Sequence, residues 1–294
     1  MKYAYYPGCS LHSTAKEYDM SIKAAFRGLD IGLEEIPDWV CCGASSAHAT
    51  SEILAHALPA KTLAAVDRDT KGVVVPCAAC YSRFRATNAA LQEDPELRAQ
   101  VKSAIGVAYE GEIPVRHPLD VVVNDYGLDA VRAKVSKELT DLRVASYYGC
   151  YLSRPPKVVA FDDPENPTSM DDLVAALGAE VVDWPYKTEC CGGSLSFTRT
   201  DVANRLSHDI LAMAADGDAD CIAVACPLCQ SNLDLQQRRV NRQYGTSFEI
   251  PILYFTQLIG LALGMTPREL GLTLHSVNPK KLLKKKALTD LGRR

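Results

Sequence analysis

The stretch VVVPCAAC at residues 73–80 has a counterpart in IAVACPLC at residues 222–229. Each stretch joins a short run of β-branched and small apolar residues, typical of a buried strand, to a Cys-x-x-Cys pair. A helical pattern follows each pair, so each region is predicted to form a strand, a loop and a helix. Parallel α/β sheets are built from this unit. Two copies that lie 149 positions apart therefore predict a duplicated α/β fold.

Ten of the eleven cysteines belong to a longer pattern that is also present twice. In each copy a single cysteine is followed by a Cys-Cys-Gly triplet and then by the Cys-x-x-Cys pair. The first set is Cys9, Cys41, Cys42, Cys77 and Cys80, and the second is Cys150, Cys190, Cys191, Cys226 and Cys229. In both copies 34 residues separate the triplet's second cysteine from the Cys-x-x-Cys pair. Cys221 stands outside the pattern, in an apolar run, and is predicted to be a small buried core residue.

Hydrophobic periodicity predicts the same order of elements in both halves. The predicted strands are residues 2–6, 33–36, 72–75, 143–147, 179–182 and 221–224. The predicted helices are residues 14–29, 51–67, 79–91, 170–177, 201–215 and 228–243. Between the halves, helical stretches at 95–105 and 127–137 flank a strand-like stretch at 119–123. Residues 250–265 are predicted to form a buried strand and a helix.

We therefore predict an α/β protein of two duplicated Rossmann-like βαβ domains related by pseudo-twofold symmetry. The first domain, with a connector, covers residues 1–140, the second covers 141–275, and a basic tail covers 276–294. Every cysteine motif follows a predicted strand. Because the carboxyl ends of parallel strands meet at one edge of a sheet, we expect the five thiols of each half to converge there.

The composition is typical of a globular protein, with 294 residues, 47% hydrophobic and 23% charged. A net charge of -4 at pH 7 gives no support for nucleic-acid binding. No run of about 18 apolar residues predicts a membrane span, and residues 1–10 lack the apolar segment of a secretory signal. We expect a cytoplasmic protein with no nucleic-acid partner and no direct membrane insertion. In that reducing compartment, clustered cysteines are more often metal ligands than disulfides.

The adjacent cysteines help to distinguish between kinds of metal site. In an extended backbone their side chains point to opposite faces, so a single tetrahedral ion accommodates both poorly. A multinuclear cluster offers several metal atoms and can accept both. Five thiols per half also exceed the four of a structural zinc site or of an ordinary cubane cluster. The pattern favours an iron–sulfur cluster in each half, with zinc and a disulfide framework as alternatives.

Other candidate residues lie near the cysteines. The chain has neither the glycine-rich dinucleotide fingerprint nor the phosphate-binding loop, so we expect electrons to arrive from another protein. His12 and His48 are candidate proton donors, with surface or capping roles as the alternative. Arg83, Arg85 and Lys187 could balance cluster charge or bind an anionic substrate, although helix-surface or loop positions explain them nearly as well. The basic tail is predicted to be a solvated end or a docking element for an acidic partner protein.

On these motifs the whole chain resembles the CCG-domain family, at the branch that contains the catalytic B subunits of heterodisulfide reductases. The resemblance implies that each set of five cysteines holds one noncubane [4Fe–4S] cluster, built from two smaller iron–sulfur units that share a vertex. It implies Cys9, Cys41, Cys42, Cys77 and Cys80 as ligands of one cluster, and Cys150, Cys190, Cys191, Cys226 and Cys229 as ligands of the other. It also implies two partner subunits as the source of electrons. These are an iron–sulfur C subunit, which carries the electrons, and a flavin A subunit.

The activity that the resemblance implies is the reduction of a disulfide. This reduction takes two electrons, and two facing clusters that each supply one would divide the S–S bond without releasing a thiyl radical. The substrate would be the heterodisulfide of coenzyme M and coenzyme B, as in methanogenesis, or a related disulfide. The alternative within the family is an iron–sulfur electron-transfer subunit of a flavin dehydrogenase that acts on lactate, glycolate or fumarate. Such subunits often carry ferredoxin-type cysteine runs, which this sequence lacks.

Overall fold

A computed structural model describes residues 1–44 and 47–288 of the chain. Within these ranges the strands are β1 Lys2–Tyr5, β2 Gly32–Glu35, β3 Val73–Val74, β4 Val115–Arg116, β5 Arg143–Tyr147, β6 Glu180–Val181, β7 Cys221–Val224 and β8 Ile252–Tyr254. The α-helices are α1 Gly8–Leu11, α2 Lys16–Gly28, α3 Ala47–Thr50, α4 Glu52–Ala64, α5 Ala78–Glu93, α6 Pro95–Ile105, α7 Pro118–Asp120, α8 Leu128–Lys134, α9 Pro156–Val159, α10 Ser169–Ala176, α11 Thr200–Asp216, α12 Pro227–Leu235, α13 Gln237–Tyr244, α14 Phe255–Ala262 and α15 Lys280–Lys285. A π-helical segment covers Val121–Gly127, and 3₁₀ turns cover Gly193–Leu195 and Leu272–Leu274.

The strands form two parallel sheets with the same strand order. The first sheet has the order β2-β1-β3-β4, and the second has the order β6-β5-β7-β8. In the first sheet Tyr5 lies opposite Glu35 on one side and Val74 on the other. In the second sheet Tyr147 lies opposite Val224. The predicted duplicated α/β fold is therefore confirmed, and the repeat extends from the cysteine pattern to the strand order.

The central strands are buried along their whole length. All four residues of β7 are buried, and Val73, Val74 and Val75 at the end of β3 are 0% exposed. Parallel sheets are covered on both faces, so their strands carry continuous rather than alternating apolar residues. Cys221 in β7 is also 0% exposed, so it is a core residue, as its place in an apolar run predicts.

Several element boundaries agree with the prediction. The predicted strands at 143–147 and 221–224 begin and end as predicted, as β5 and β7. The strand and helix predicted within residues 250–265 are β8 and α14. The helix predicted at 228–243 is instead two helices, α12 and α13, which meet at Gln236.

The strand-like prediction for residues 119–123 is wrong, because this stretch is helical. Pro118 begins α7, at a position whose N–H has no partner within the helix, so the missing N–H of proline costs nothing there. The side chain of His117 caps the helix by accepting from the N–H of Leu119. The fourth strand of the sheet is upstream, at Val115–Arg116. Residues such as Val121 are fully buried, and a short buried apolar run has no period that tells a helix from a strand.

The two halves pack against each other chiefly through α2 of the first and α14 of the second. The ring of Tyr18 in α2 stacks on that of Tyr254, with 3.9 Å between the ring centroids. The hydroxyl oxygens of Ser21 and Thr256 lie 2.7 Å apart. All four side chains are buried. Each half therefore covers a face of the other that would be apolar and unpaired in isolation.

The last described residues pack on the second half. Leu283 in α15 and Leu288 are buried, and the Nζ of Lys286 lies 2.7 Å from a carboxylate oxygen of Asp220. Residues 289–294, which complete the basic tail, lie outside the described residues. The docking role of the tail and the domain boundaries at 140 and 275 stay predictions. In the described part of the chain, every helix is too short or too polar to cross a membrane.

Candidate metal centre

The cysteines of the repeated pattern lie beyond the carboxyl ends of strands. In the first half Cys9 follows β1, the triplet follows β2, and the Cys-x-x-Cys pair follows β3. The buried members are Cys42, Cys77, Cys80, Cys191, Cys226 and Cys229, and the more exposed ones are Cys9, Cys41, Cys150 and Cys190. All eleven cysteines of the chain are free thiols.

In the first half the five thiols form a connected group. The Sγ atoms of Cys42 and Cys80 lie 2.9 Å apart. Cys77 lies close enough to Cys80, and Cys9 close enough to Cys41, to raise the pKa of those thiols. The group thus divides into a buried trio, Cys42, Cys77 and Cys80, and an exposed pair, Cys9 and Cys41. The trio and the pair are joined at the adjacent residues Cys41 and Cys42.

The second half repeats this arrangement. The Sγ atoms of Cys191 and Cys229 lie 3.6 Å apart. Cys226 lies close enough to Cys229, and Cys190 close enough to Cys150, to raise the pKa of those thiols. All five thiols line one open cavity, to which the first half also contributes. The structure therefore brings together the members of both predicted sets.

The two groups meet at the interface between the halves. The thiols of Cys77 and Cys226 lie close enough for each to shift the pKa of the other. The Nε2 atom of His117 lies 2.9 Å from the carbonyl oxygen of Pro76 and 3.0 Å from that of Ala225, the residues that precede these two cysteines. His117 is fully buried. This histidine cannot be recognised from the sequence, because it belongs to no motif and its place depends on how the halves pack.

A tyrosine in each half holds the loop that carries the triplet. The hydroxyl of Tyr6 donates to the carbonyl oxygen of Val40 at 2.9 Å, and that of Tyr147 donates to the carbonyl oxygen of Glu189 at 2.5 Å. Val40 and Glu189 directly precede the two triplets. The cysteine motifs alone do not indicate this role of Tyr6 and Tyr147. A usable signal was present, because each tyrosine stands three residues before the first cysteine of its set.

The glycine of each triplet allows the chain to turn sharply at the site. Gly43 has φ +70° and Gly192 has φ +74°, in the region that residues with a side chain avoid. A Cβ atom on Gly192 would lie 2.9 Å from the Cα of Ala203. The turn lets the N–H of Gly192 donate to the Sγ of Cys190 at 3.4 Å, and the N–H of Gly43 donates to the Sγ of Cys41 at 3.5 Å.

Hydrogen bonds between thiols favour the thiolate form of one member of a pair. The bond with Cys80 lowers the pKa of Cys42 to about 7. Interaction with the thiol of Cys150 lowers the pKa of Cys190 to about 6. Because the thiolate is the form that binds metals, both groups are chemically suited to do so.

The donor set of each group is sulfur alone. Soft thiolate ligands suit iron–sulfur clusters, copper(I) and zinc. Across residues 1–44 and 47–288, no three cysteine, histidine or carboxylate side chains are arranged to hold a single metal ion. Five thiols that divide into an exposed pair and a buried trio fit a cluster of several metal atoms, which offers more than one binding vertex.

The two histidines predicted as proton donors lie close in sequence to Cys9 and to the first triplet. The Nε2 of His12 pairs with a carboxylate oxygen of Glu35 at 3.1 Å, and its ring packs edge-on against Trp39. His48 lies exposed in α3. Their role as proton donors stays a prediction.

Two of the predicted cations have protein partners. The Nε of Arg85 donates to the carbonyl oxygen of Val158 in the other half at 2.9 Å. The Nζ of Lys187 lies 2.6 Å from a carboxylate oxygen of Asp171, and both residues are buried. These contacts give Arg85 a role at the interface and Lys187 a role in the packing of the second half.

Comparisons with known proteins point to one family. The family described as CCG, cysteine-rich domain, matches the chain twice, at residues 3–85 and 144–234. A protein of Wolinella succinogenes named 8-methylmenaquinol:fumarate reductase membrane anchor subunit is 34% identical over 96% of this chain and 99% of its own length. The B subunit of the ferredoxin:CoB-CoM heterodisulfide reductase of Methanosarcina mazei is 31% identical over 97% of this chain and 96% of its own length.

A likeness in solved structures concerns the fold alone. The crystal structure of a hypothetical protein from Helicobacter pylori aligns with a TM-score of 0.74 at 12% identity. The alignment covers 94% of this chain and 52% of that one, so this chain spans about half the length of its structural neighbour.

Proposed function

Since the chain belongs to the CCG cysteine-rich domain family, we propose that it is the disulfide-reducing subunit of a heterodisulfide reductase-like complex. In this proposal two noncubane [4Fe–4S] clusters are the cofactors. One cluster is held by Cys9, Cys41, Cys42, Cys77 and Cys80, and the other by Cys150, Cys190, Cys191, Cys226 and Cys229. The substrate is a disulfide, either that of coenzyme M and coenzyme B or a related one.

The observation that carries the proposal is that the two thiol groups approach each other across the interface, where His117 lies between the carbonyls that precede Cys77 and Cys226. Reduction of a disulfide consumes two electrons and two protons, breaks one S–S bond and yields two thiols. Bound clusters would each supply one electron and a metal atom with affinity for sulfur. Two equal centres on either side of one interface match this stoichiometry better than a single centre does.

The chain's own residues position the site. Tyr6 and Tyr147 hold the two triplet loops through their backbone carbonyls, and the triplet glycines turn those loops into the site. The buried trio of each group keeps water away from the inner ligands. The exposed pairs leave an approach from solvent, near which His12 is our candidate for supplying protons.

The electrons must come from a partner protein, because the sequence has none of the common nucleotide-binding motifs. We propose that an iron–sulfur C subunit, together with a flavin A subunit, fills this role. The name of the Methanosarcina mazei relative, which includes ferredoxin and designates a B subunit, supports an assembly of several subunits. We propose a cytoplasmic location, because clustered free cysteines are typical of proteins in a reducing compartment.

Disulfide turnover tests the proposal. The full chain is purified without oxygen and given an artificial one-electron reductant with a panel of disulfides, including the coenzyme M and coenzyme B pair. We expect two thiols to form per disulfide consumed, and we expect an added thiol to change the EPR spectrum of the oxidised protein. Iron-loaded protein that reduces no disulfide and shows no response to thiol would contradict this function.

A second function is favoured by the fumarate reductase relative, which is similar over nearly the whole chain. The chain would then pass electrons to or from a flavin-containing partner that acts on fumarate or a hydroxy acid, without binding a disulfide itself. Purification of the complex from its native source distinguishes the two. A flavin dehydrogenase partner, together with absent disulfide turnover, would support the electron-transfer role.

A further inference from the structure

His117 occupies the point where the two cysteine groups come together. Its Nδ1 accepts a hydrogen bond from the backbone N–H of Leu119 at 3.2 Å, so the ring proton is on Nε2. That single N–H lies between two carbonyl oxygens, of Pro76 at 2.9 Å and of Ala225 at 3.0 Å. One carbonyl belongs to each half of the molecule.

The surroundings of the ring fix its position. Tyr81 of the first half packs edge-on against the ring at 5.8 Å between centroids, and Phe255 of the second half lies at 6.2 Å. The ring is 0% exposed, and burial lowers the pKa of His117 to about 4. The imidazole therefore stays neutral at ordinary pH and keeps one N–H for the two carbonyls.

The second half has no equivalent of this histidine. The N–H of Val73 donates to Pro114, and that of Ile222 donates to Pro251, so the two sheets align with His117 at the position of Tyr254. Tyr254 stacks on Tyr18 instead of bridging the halves through a donor. The bridge is therefore an asymmetric feature within the repeated sheet architecture.

We propose that His117 is a positioning residue that sets the separation of the two metal centres. It ties the carbonyl before Cys77 to the carbonyl before Cys226, and these cysteines begin the Cys-x-x-Cys ligand pair of each half. Two buried carbonyl oxygens that face one nitrogen repel each other once the shared hydrogen is lost. The two ligand loops would then move apart. The inference rests on the proposed function in that each thiol group holds a cluster.

The test compares variants of the full chain purified without oxygen. His117→Phe keeps an aromatic ring and removes the N–H, whereas His117→Gln keeps a side-chain N–H donor. Ser21→Ala is the matched control, because it removes another buried hydrogen bond between the halves, to Thr256, away from the ligand loops. Iron content, thermal stability and the EPR splitting of the reduced protein, which reports magnetic interaction between the centres, are measured for each.

We expect His117→Phe to weaken the EPR splitting markedly, because magnetic dipolar interaction falls with the cube of the distance. His117→Gln should recover most of the splitting, and Ser21→Ala should keep the wild-type splitting despite a lower melting temperature. An unchanged splitting in His117→Phe at wild-type iron content would overturn the inference. So would a splitting in His117→Gln as weak as that in His117→Phe. Failure of the proposed function alone gives a different result. In that case iron-loaded wild-type protein reduces no disulfide, but His117→Phe still weakens the EPR splitting.

Discussion

The adjacent cysteines of each triplet have opposite environments. Cys42 and Cys191 are buried and lie close to the second cysteine of the Cys-x-x-Cys pair, whereas Cys41 and Cys190 are exposed and pair with the first cysteine of the set. Opposed side chains are what an extended backbone imposes on neighbours. The triplet is thus the link between the buried trio and the exposed pair of each group.

Loss of an inner triplet cysteine should empty one centre and spare the other. Cys42→Ala and Cys191→Ala are each expected to lower iron to about half of the wild-type content and to destabilise the same half, because metal binding and folding are coupled. Cys221→Ala is the control, since this thiol is a core residue of β7, and it should keep full iron. Iron analysis and thermal unfolding report both effects. Full iron in either triplet variant would contradict the ligand assignment.

A second prediction concerns acid stability through His275. This residue is buried between Gln230 and Gln257, and burial lowers its pKa to about 4. The unfolded chain takes up the proton near pH 6.5 and the folded chain does not, so wild-type stability falls as pH drops from about 6.5 towards 4. The His275→Gln variant has no imidazole at this position, so its unfolded chain does not take up this proton. Between pH 8 and pH 5 its free energy of unfolding should shift relative to wild type by about 2 kcal/mol in the variant's favour. Denaturant unfolding at both pH values measures this shift, and a constant difference would refute it.

At the level of elements, the triplets of the site lie in loops, whereas Cys9, Cys80 and Cys229 lie in the first turns of helices. Both triplets lie in loops without regular structure, and each is held by one tyrosine hydroxyl and one left-handed glycine. The strands supply a fixed edge, and the loops and first helical turns beyond them supply the candidate ligands. A change in loop conformation should therefore affect the metal centre more than the sheet.

Two glycines with nearly the same backbone angle separate conformational strain from steric clash. Gly192→Ala should cost about 3 kcal/mol, from the left-handed angle and from contact with the backbone of Ala203, and should lower iron in the second centre. Gly245 has φ +69° and open space around it, so Gly245→Ala should cost only about 1 kcal/mol and leave iron unchanged. Unfolding free energies and iron content test the pair. Equal effects of the two substitutions would argue against a tightly packed triplet loop.

The elements that repeat or have a clear period could be predicted from the sequence. β5 and β7 are apolar runs within the repeat and were predicted to the residue. The two-residue strand β4 was not predicted, since two residues show no alternation, and the neighbouring helical stretch at 119–123 was taken for a strand.

The candidate site could be predicted only in part, for a similar reason. The ten cysteines repeat at fixed spacing and are visible in the sequence, and the structure brings them together. His117 is invisible there, because its partners Pro76 and Ala225 come together only when the halves pack. The approach of Cys77 to Cys226 also depends on that packing.

At the level of the whole molecule, the two halves form one unit. Tyr18, Tyr254 and Phe255 are 0% exposed at the interface, and all would be uncovered if the halves parted. The two thiol groups meet across the same surface, so the architecture that buries these rings also brings the candidate centres together.

Separate halves should therefore be unstable. We expect residues 1–140 expressed alone to aggregate, because a large apolar face is exposed. Co-expression with residues 141–294 should restore a soluble pair that elutes at the size of the intact chain. Size-exclusion chromatography of both preparations distinguishes an aggregated half from a soluble pair. A monomeric isolated half with a cooperative melting transition would show that the interface is dispensable for folding.

The central claim is that each group of five thiols holds its own multi-iron cluster. The most direct measurement is iron and acid-labile sulfide per chain in protein purified without oxygen. We expect about eight iron atoms and about eight sulfides, from two [4Fe–4S] clusters. Zinc in place of iron, or iron without labile sulfide, would contradict it.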